Sequence, residues 1–503
     1  MYPGKWAKKT PDKPAVINSA TGASISFLEL ESKSIQLAHL FKSRGLKRGD
    51  HVTLFTRNDI KFFEVSWAAM RSGIYLTPAN SWLKANELSY IIKNSEASLI
   101  IADKALEDVC VQLSLNEEKE IIKLSYNGVI EGYDSYENAI DQFPKDPPLD
   151  NPKGSFMFYS SGTTGQPKGV RWPLVEGQIQ EDSEHYLFHE KLWAYDEHSI
   201  SLTSCPLYHA APAHMALTAH AFGGTVVMMP KFEAEDALRV IEEYQITHGA
   251  WVPTQFMRMY KLPDKVKALY DVSSQKVITH AAAPCPVELK QKMIDWWGNI
   301  FYEYYSGSEG IGMTHANPDQ WLKFPGTVGK PLIGVLHICD EQGHEVPIGK
   351  IGKIYFESDH EFHYHNDTKK REKAKHSDHS SWSSFGDIGY VNEEGYLFLT
   401  DRESFMIISG GVNIYPQEVE NLLSMHEDVE DVAVIGIPDE DMGEQVKAYI
   451  KLSQNAEIRT NQAEYFIEYT RSNLAHYKCP KSIDFVDNLP RSDAGKLVKR
   501  YLK

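Results

Sequence analysis

The fold is decided by one stretch of the chain, Tyr159-Ser160-Ser161-Gly162-Thr163-Thr164-Gly165-Gln166-Pro167-Lys168-Gly169. Its glycines allow positive φ angles and let backbone N–H groups come close to a ligand. Its hydroxyl groups and lysine add further donors to the same loop, and such a set is typical of a phosphate-binding loop. The apolar run 156–159 predicts a buried strand directly before it. We therefore predict a strand followed by a phosphate-binding loop, rather than a flexible surface loop.

Length and composition bound the possible functions. The chain has 503 residues, 42% of them hydrophobic and 24% charged, which is ordinary for a globular protein. One hydrophobic core rarely supports so many residues, so two or more domains are expected. The net charge of −17 argues against nucleic acid as a partner.

The cysteines and the apolar runs indicate the compartment. The five cysteines are dispersed, and none forms a Cys-x-x-Cys pair. Such a set is typical of reduced thiols. Residues 1–14 contain no apolar segment of the kind found in signal peptides, and no run approaches 18 apolar residues. We expect a cytoplasmic protein without a transmembrane segment.

Strand and helix patterns alternate along the first part of the chain, beginning with a capping box at Ser26–Glu29 and continuing through apolar runs at 52–55 and 62–70. This alternation predicts an α/β fold with parallel sheets flanked by helices. Residues 175–191 look helical, and 206–209 look like the end of a strand.

Four further segments carry polar or small side chains where a ligand could bind. The segment 280–284 is a small-residue turn, and 303–310 combines aromatic rings, hydroxyl groups and a carboxylate suited to a base and a magnesium ion. Gly386-Asp387 and Asp401-Arg402 bracket a predicted hairpin whose turn is at Gly395. The histidine-rich segment 359–384 matches no standard metal motif, so we interpret it as a solvated connector.

Together these stretches resemble the adenylate-forming superfamily of acyl-CoA synthetases, aryl-CoA ligases, luciferase-like enzymes and peptide-synthetase adenylation domains. Residues 160–169 match its signature loop, and Tyr305–Glu309 match its Tyr-Gly-x-Thr-Glu motif. Gly386-Asp387, Asp401-Arg402 and 490–496 match three further motifs, in the family's order. The resemblance covers nearly the whole chain.

The resemblance implies an N-terminal domain at 1–401, a hinge at 402–406 and a mobile α+β lid domain at 407–503. It also implies an acid–CoA ligase that uses ATP, Mg²⁺ and CoA. A carboxylic acid is first converted to acyl-AMP with release of pyrophosphate, and a thiol then takes the acyl group. Positive charge and oriented donors must offset the repulsion between the two anions in the first step.

The resemblance also assigns roles to individual residues. The catalytic set would be Lys496, Glu309, Lys168 and His209, with Glu309 as the magnesium ligand. The nucleotide and CoA would contact Ser160, Ser161, Gly162, Thr163, Thr164, Gly165, Ala283, Tyr304, Tyr305, Ser308, Asp387, Arg402, Gly410 and Gly411. The acid would contact Trp251, Ala281, Ala282, Ser306, Gly307 and Met313.

The sequence departs from the family pattern at several positions. Ser306 and Ser308 replace a glycine and a threonine, and Ser404 stands at the hinge position that is usually Asp or Lys. Acetate-activating relatives carry a tryptophan at the position of Ser306. The smaller residue and its apolar neighbours favour a medium- or long-chain fatty acid or a bulky alicyclic or aromatic acid.

Three other activities fit the same motifs: a luciferase-like oxygenase, a peptide-synthetase adenylation domain and a non-catalytic AMP-binding protein. The third is disfavoured because Lys168, Glu309, Asp387, Arg402 and Lys496 are all present. The expected partners are the acid, ATP and CoA, with a homodimer as a further expectation.

Overall fold

The computed structural model describes residues 1–115, 120–160, 167–359, 363–366, 374–491 and 497–502. Its helices, numbered in chain order, are α1 Pro3–Lys9, α2 Phe27–Ser43, α3 Lys61–Met70, α4 Ala85–Asn94, α5 Glu107–Cys110, α6 Tyr136–Ile140, α7 Glu184–Trp193, α8 Ala210–Ala221, α9 Ala234–Glu243, α10 Pro253–Tyr260, α11 Asp264–Lys267, α12 Val287–Trp297, α13 Pro318–Lys323, α14 Pro416–Ser424 and α15 Gln462–Asn473.

The strands, numbered in the same way, are β1 Pro14–Asn18, β2 Ser24–Ser26, β3 His51–Phe55, β4 Tyr75–Ala79, β5 Leu99–Asp103, β6 Ile122–Tyr126, β7 Asp134–Ser135, β8 Ser155–Ser160, β9 Lys168–Arg171, β10 Ile200–Thr203, β11 Thr225–Met228, β12 His248–Trp251, β13 Val277–His280, β14 Phe301–Ser306, β15 Met313–Ala316, β16 Lys330–Ile333, β17 Val335–Cys339, β18 Gly352–Glu357, β19 His363–Tyr364, β20 Trp382–Ser383, β21 Asp387–Val391, β22 Leu397–Arg402, β23 Ile407–Ser409, β24 Val412–Ile414, β25 Val429–Asp439, β26 Gly443–Leu452 and β27 Ser482–Phe485.

The strands form four sheets. The first has the order β16-β15-β14-β13-β12-β10-β11-β1-β2, and the second has the order β19-β9-β8-β4-β3-β5-β6-β7. Neighbours from β11 to β14 in the first sheet are parallel, as are β8, β4, β3, β5, β6 and β7 in the second. The predicted α/β class, with parallel sheets flanked by helices, is confirmed.

Local sequence signals set several helix boundaries. At the start of α2, the Ser26 hydroxyl accepts a hydrogen bond from the Glu29 N–H at 3.2 Å, and the Glu29 carboxylate accepts one from the Ser26 N–H at 2.9 Å. The chain leaves this helix at Gly45, whose φ of +80° suits glycine. The predicted capping box is confirmed.

The predicted helix over 175–191 is wrong in its first half, because α7 begins only at Glu184. The backbone of the residues before α7 instead forms hydrogen bonds with the segment that precedes strand β8. Lys153 donates its N–H to the Gly177 carbonyl at 3.1 Å, and Ile179 donates to the Asn151 carbonyl at 2.9 Å. Gly177 has a φ of +103°, which a helix does not allow.

The predicted strand end at Pro206–His209 is also wrong. Strand β10 ends at Thr203, and the intervening segment is held by the Asn58 side chain, which donates to the Cys205 carbonyl at 3.1 Å and accepts from the Leu207 N–H at 2.9 Å. Helix α8 then begins directly after His209. Most of α8 is buried, so its sequence lacks the one-sided apolar pattern that predicts a helix.

The described parts of the segment 359–384 are not a solvated connector, so that interpretation is wrong for them. Tyr364 belongs to β19, which pairs with β9, and the His365 N–H donates to the Gly169 carbonyl at 2.8 Å. Trp382 is buried and stacks on His337, with ring centroids 3.6 Å apart. His365 and His376 of this segment are both buried and therefore pack against the folded domain.

The third sheet joins β17, β18, β21 and β22, with β20 paired to β18, and the fourth joins β24, β23, β26 and β25, with β27 paired to β26. The fourth sheet and its helices form a separate core around Val419, Val434 and Phe466. Hydrogen bonds also join this unit to the rest of the chain. One example is the Lys261 ammonium, which donates to the Ser424 carbonyl of α14 at 2.8 Å. The division at 402–406 stays a prediction.

None of the helices in the described residues is both long enough and apolar enough to cross a membrane.

A buried ion pair connects helix α12 to strand β14. Lys290 of α12 donates to the Glu303 carboxylate of β14 at 2.7 Å, and the two side chains are 0% and 8% exposed. Burial lowers the pKa of Lys290 and raises the pKa of Glu303, and each partner's charge opposes the other's shift. The Lys290 ammonium also lies 4.5 Å from the centre of the Trp321 ring.

We expect Lys290→Met alone to destabilise the fold by about 3–5 kcal/mol, because it leaves the Glu303 carboxylate buried without its cation. The double variant Lys290→Met/Glu303→Leu removes both charges and should recover most of that loss. Thermal unfolding followed by circular dichroism measures both changes in Tm. A Lys290→Met protein with the Tm of wild type would contradict this account.

Candidate active site

The two described ends of the signature stretch belong to neighbouring strands. Strands β8 and β9 are antiparallel, and Ser160 lies opposite Lys168 in their register. The predicted strand before the loop is confirmed. The predicted phosphate-binding residues Ser161, Gly162, Thr163, Thr164 and Gly165 lie outside the described residues, and only the backbone of Ser160 is described.

Lys168 and Glu309, which are far apart in sequence, meet at a third side chain. The Tyr364 hydroxyl donates to Glu309 Oε1 at 2.7 Å, and Lys168 Nζ lies 5.0 Å from the centre of the Tyr364 ring. Strand β19 makes this contact possible because it places Tyr364 opposite Val170 of β9. The predicted lysine and the predicted magnesium ligand are thus brought together by a residue that we had not singled out.

The turn that carries Ser308 and Glu309 is fixed on both sides. The Gly310 N–H donates to the Gly307 carbonyl at 3.0 Å, and Trp172 Nε1 donates to the Ser308 carbonyl at 3.0 Å. Gly310 has a φ of +66°, and a Cβ there would lie 2.6 Å from the Trp172 ring. Only glycine suits this close approach, and in this turn Glu309 faces Tyr364.

Asp387 joins the first sheet to the third. Its carboxylate accepts a hydrogen bond from the Tyr305 hydroxyl at 2.6 Å and one from Arg402 Nε at 3.0 Å. Asp387 and Arg402 are also opposite each other in the register of β21 and β22. Burial and the Asp387 carboxylate raise the pKa of Tyr305 well above its usual value, so this hydroxyl stays protonated and remains a donor.

The small-residue turn follows the end of β13. Ala282 has a φ of +70° and is exposed, while Ala281 and Ala283 are partly buried. Positive φ is uncommon for alanine and marks a constrained backbone. Because β13 and β14 are parallel and adjacent, the turn lies at the same edge of the sheet as Tyr305.

The residues predicted to contact the acid do not all lie together in the structure. Ser306 lies opposite Met313 in the ladder of β14 and β15, and the side chains of Tyr304 and Met313 both join the core beneath α7 and α8. Trp251 instead lies in the core on the other face of the sheet, with its ring centroid 5.8 Å from that of Trp297. Gly307 faces Phe385, whose ring would lie 2.4 Å from a Cβ at that position.

His209 ends the Asn58-bound segment and is the residue before the first turn of α8. Its ring is partly exposed and lies 4.5 Å from the Tyr208 ring, centroid to centroid. Asn58 also donates to the Met229 carbonyl at 3.0 Å, so one amide holds two loops of the first sheet beside His209.

The predicted pantetheine-contacting glycines form a hairpin turn in the fourth sheet. Gly410 and Gly411 connect β23 to β24 with φ angles of +56° and +78°. Two successive positive φ angles characterise a type I′ turn, which glycine favours. Lys496 lies outside the described residues, and the predicted hinge contains a short 3-10 turn at Glu403–Phe405.

Sequence reasoning missed four residues that shape the site: Asn58, Trp172, Tyr364 and Phe385. Each acts through a contact with a segment far away in the chain, so no local pattern marks it. For Tyr364 a weak signal existed, because a tyrosine is unusual among the charged and histidine residues around it.

Comparison with known proteins identifies the family. A family profile described as AMP-binding enzyme matches residues 4–363, and a second, described as AMP-binding enzyme C-terminal domain, matches residues 418–496. The chain is 29% identical to a feruloyl-CoA synthase from an Amycolatopsis species, covering 99% of this chain and 97% of that one. It is 28% identical to a long-chain-fatty-acid–CoA ligase from Bacillus subtilis, covering 99% and 92%.

Solved structures agree in fold. The structure of ATP-bound MatB from Rhodopseudomonas palustris is similar, with a TM-score of 0.81 at 25% identity, over 100% of this chain and 98% of that one. The anthranilate CoA ligase AuaEII in complex with anthranoyl-AMP has a TM-score of 0.84 at 23% identity, over 100% and 96%. These matches and the two profiles confirm the resemblance inferred from the motifs. The chain belongs to the AMP-binding enzyme family.

Proposed function

We propose that this protein is an ATP-dependent acid–CoA ligase that converts a carboxylic acid to acyl-AMP, releases pyrophosphate and transfers the acyl group to CoA. The observation that carries the proposal is the convergence of two polar clusters at one edge of the first sheet. One is Tyr305, Asp387 and Arg402, and the other is Lys168, Tyr364 and Glu309. The similarities to a feruloyl-CoA synthase and to a long-chain-fatty-acid–CoA ligase support the same activity.

The two clusters suit the two ends of a nucleotide. Asp387 and Arg402 bind the ribose, and Tyr304, Tyr305 and Ala283 contact the adenine. Ser308 contacts the α-phosphate, while Lys168 and the loop Ser160–Gly165 bind the β- and γ-phosphates. Since the acid and the phosphate are both anionic, the cations must lie at the phosphate end to offset their repulsion.

Glu309 fits the role of magnesium ligand. Carboxylate oxygens are ligands that Mg²⁺ prefers. Among the described residues, Tyr364 gives Glu309 Oε1 its one hydrogen bond, so Oε2 is left without a protein donor. A magnesium ion would neutralise phosphate charge. Tyr364 fixes the rotamer of the carboxylate, and Lys168 adds a second positive charge beside it.

The lid would act in both half-reactions. Lys496 bridges the acid and the α-phosphate during adenylation, and Gly410 and Gly411 border the path of pantetheine after the lid rotates about 402–406. The two glycines of this exposed type I′ turn carry no side chains of their own, which favours close approach of a thiol arm to the backbone. The cytoplasmic location and the homodimer stay predictions.

The acid is a medium- or long-chain fatty acid or a bulky alicyclic or aromatic acid, and acetate is a poor substrate. Ser306 is small and donates to the Gly312 carbonyl at 2.8 Å, so its side chain is drawn towards the backbone. Ala281, Ala282 and Met313 add small or apolar surface. Each buried methylene of the acid contributes about 0.8 kcal/mol, which favours longer acids where space allows.

Incubation with Mg·ATP, CoA and a panel of carboxylic acids, followed by mass spectrometry, tests the activity. We expect AMP, pyrophosphate and an acyl-CoA whose mass identifies the acid. Oxidised products without acyl-CoA would instead indicate a luciferase-like oxygenase, and the absence of any product would indicate a non-catalytic protein.

For Lys496→Ala we expect pyrophosphate release from ATP and acid to be lost, because the cation between the two anions is removed. Thioester formation from synthetic acyl-AMP and CoA should remain close to wild type. Lys481→Ala, in the same domain but outside the proposed site, is the matched control. An equal loss of both half-reactions in Lys496→Ala would contradict this division.

For Tyr364→Phe we expect the magnesium concentration that gives half-maximal ATP binding to rise about five- to tenfold, because one hydrogen bond to the Glu309 carboxylate is lost while the ring beside Lys168 remains. Titration calorimetry with ATP at several magnesium concentrations measures this shift without turnover. Tyr477→Phe, at an exposed tyrosine, is the control. Identical titrations for wild type and Tyr364→Phe would show that Tyr364 does not position Glu309.

A further inference from the structure

Both ends of helix α14, which lies in the predicted lid, contact charged side chains from the preceding part of the chain. At the N-terminus, the Gln417 N–H donates to the Asp401 carboxylate at 3.1 Å. At the C-terminus, the Lys261 ammonium donates to the Ser424 carbonyl at 2.8 Å. A negative charge at the N-terminus and a positive charge at the C-terminus both complement the helix dipole. The two side chains therefore favour the orientation of α14 that the structure shows.

The two contacts differ in their distance from the predicted hinge at 402–406. Asp401 directly precedes the hinge in the chain, whereas Lys261 contacts the other end of α14, about 10 Å further along the helix axis. The end of a rotating body that lies further from its hinge moves further. Rotation of the lid therefore displaces Ser424 from Lys261 more than it displaces Gln417 from Asp401.

A second hydrogen bond and an apolar side chain extend the interaction at Lys261. This residue follows α10, is partly buried, and also donates to the carbonyl of Val429, the first residue of β25. Met425, directly after α14, packs against the apolar core formed by α9, α10 and α12. A cation and an apolar side chain thus join one turn of the lid to the N-terminal part of the chain. We call these interactions the Lys261 contact.

The Lys261 contact is suited to opening and closing. In the described part of the chain, Lys261 donates to two neutral carbonyls and forms no ion pair. Burial lowers the pKa of Lys261 to about 8, and the nearby charges of Asp431 and Glu430 oppose that shift. The carbonyls offset only part of the hydration that the ammonium loses on burial, and the ammonium regains that hydration when the lid moves away. Opening the contact therefore costs less than breaking a buried ion pair.

The turn that we propose to border pantetheine faces solvent in this orientation. Gly410 and Gly411 are both exposed. Among the described atoms, a Cβ at Gly410 would approach Met442 of the turn between β25 and β26, and a Cβ at Gly411 would have no neighbour within 4 Å. The orientation shown is therefore not the one in which these glycines border the path of the thiol.

The chain just after the proposed adenylation lysine, Lys496, is held against the hinge instead. Lys499 is 8% exposed and pairs with Glu420 of α14 at 2.7 Å. Lys499 Nζ also lies 5.0 Å from the centre of the ring of Phe405, within the predicted hinge. Burial raises the pKa of Asp401, and the Lys499 charge opposes that shift. This orientation of the lid thus suits adenylation better than thioester formation.

We propose that the Lys261 contact holds the lid in its orientation for adenylation and opens for thioester formation. Lys261 is then a positioning residue, because it acts on the reaction only through the orientation of α14. This inference rests on the proposed acid–CoA ligase function, which supplies the two half-reactions. After pyrophosphate leaves, rotation about the hinge separates Lys261 from Ser424 and Val429 and withdraws Met425 from the core.

Lys261→Glu tests the contact by charge reversal. It places a carboxylate opposite the two carbonyl oxygens and near Glu430 and Asp431, so repulsion replaces attraction. We expect kcat for pyrophosphate release from ATP and acid to fall about five- to tenfold, the scale of one hydrogen bond to a charged group. Thioester formation from synthetic acyl-AMP and CoA should stay at or above the wild-type rate. A coupled pyrophosphate assay and mass spectrometry of the acyl-CoA measure the two half-reactions.

Two further variants control for the position and the charge. Lys261→Arg keeps the charge and the donors, so it should restore the wild-type balance between the half-reactions. Lys265→Glu makes the same charge change at an exposed lysine four residues away and is the matched control. Wild-type rates of both half-reactions in Lys261→Glu, an equal loss of both, or a loss confined to thioester formation would overturn the inference.

The lid orientation can also be measured directly, by pulsed electron paramagnetic resonance between spin labels at Val129→Cys and Ile458→Cys. Both positions are exposed, and a Cys285→Ser background leaves only buried native cysteines. We expect Lys261→Glu to move or broaden the distance distribution, and an unchanged distribution in the folded variant would overturn the inference. Because no substrate is needed, this measurement tests the orientation even if no acid is activated, a result that would refute the ligase function itself.

Met425→Ala covers the case in which Lys261→Glu does not fold. It removes the apolar part of the Lys261 contact from the lid side and leaves Lys261 in place. We expect the same direction of change, with slower pyrophosphate release and a broader distance distribution. Wild-type half-reactions and distances in a folded Met425→Ala protein would contradict the claim that this contact sets the lid orientation.

Discussion

The candidate site depends on the contact between Asp387, Tyr305 and Arg402. A buried carboxylate is stable only when hydrogen-bond donors or cations satisfy its oxygens. Asp387 is only 7% exposed, and its oxygens are satisfied by the Tyr305 hydroxyl and the Arg402 guanidinium. Loss of Arg402 would leave the buried charge without its cation, and loss of the Tyr305 hydroxyl would leave one carboxylate oxygen without that donor. Since Tyr305 belongs to the first sheet and Arg402 to the third, this carboxylate links the two sheets.

The other contacts of the site follow from that junction. Phe385, two residues before Asp387, packs edge-on against Tyr305 with centroids 5.6 Å apart and closes the space beside Gly307. The turn at Gly307–Gly310 is then confined between Phe385 and Trp172, which leaves Glu309 facing Tyr364. Fixed carboxylates and cations at one sheet edge are the arrangement that electrostatic catalysis on phosphates requires.

Much of this arrangement could be predicted from the sequence, because it is encoded locally. The turn residue Gly395 predicts the hairpin, and that turn together with a register shift between Ile388 and Gly389 places Asp387 opposite Arg402. The strand before the signature loop and the capping box of α2 likewise need only neighbouring residues. The family could be inferred because several motifs occur in the family's order, whereas a single glycine-rich loop would not have been enough.

The remaining features depend on contacts that no local pattern contains. Helix α8 is buried between sheets, so it lacks amphipathic periodicity, and the side to which Trp251 points is set by the register of β12. Tyr364 contacts Glu309 because β19 pairs with β9, although the two strands are far apart in the sequence.

The most direct measurement of the central claim is the affinity for AMP of wild type and of Asp387→Asn, determined by calorimetry on proteins whose folded state is checked by Tm. If Asp387 organises the nucleotide site, the substitution should weaken AMP binding at least about tenfold, the scale of losing a charge-assisted hydrogen bond. Equal affinities in two folded proteins would contradict the claim.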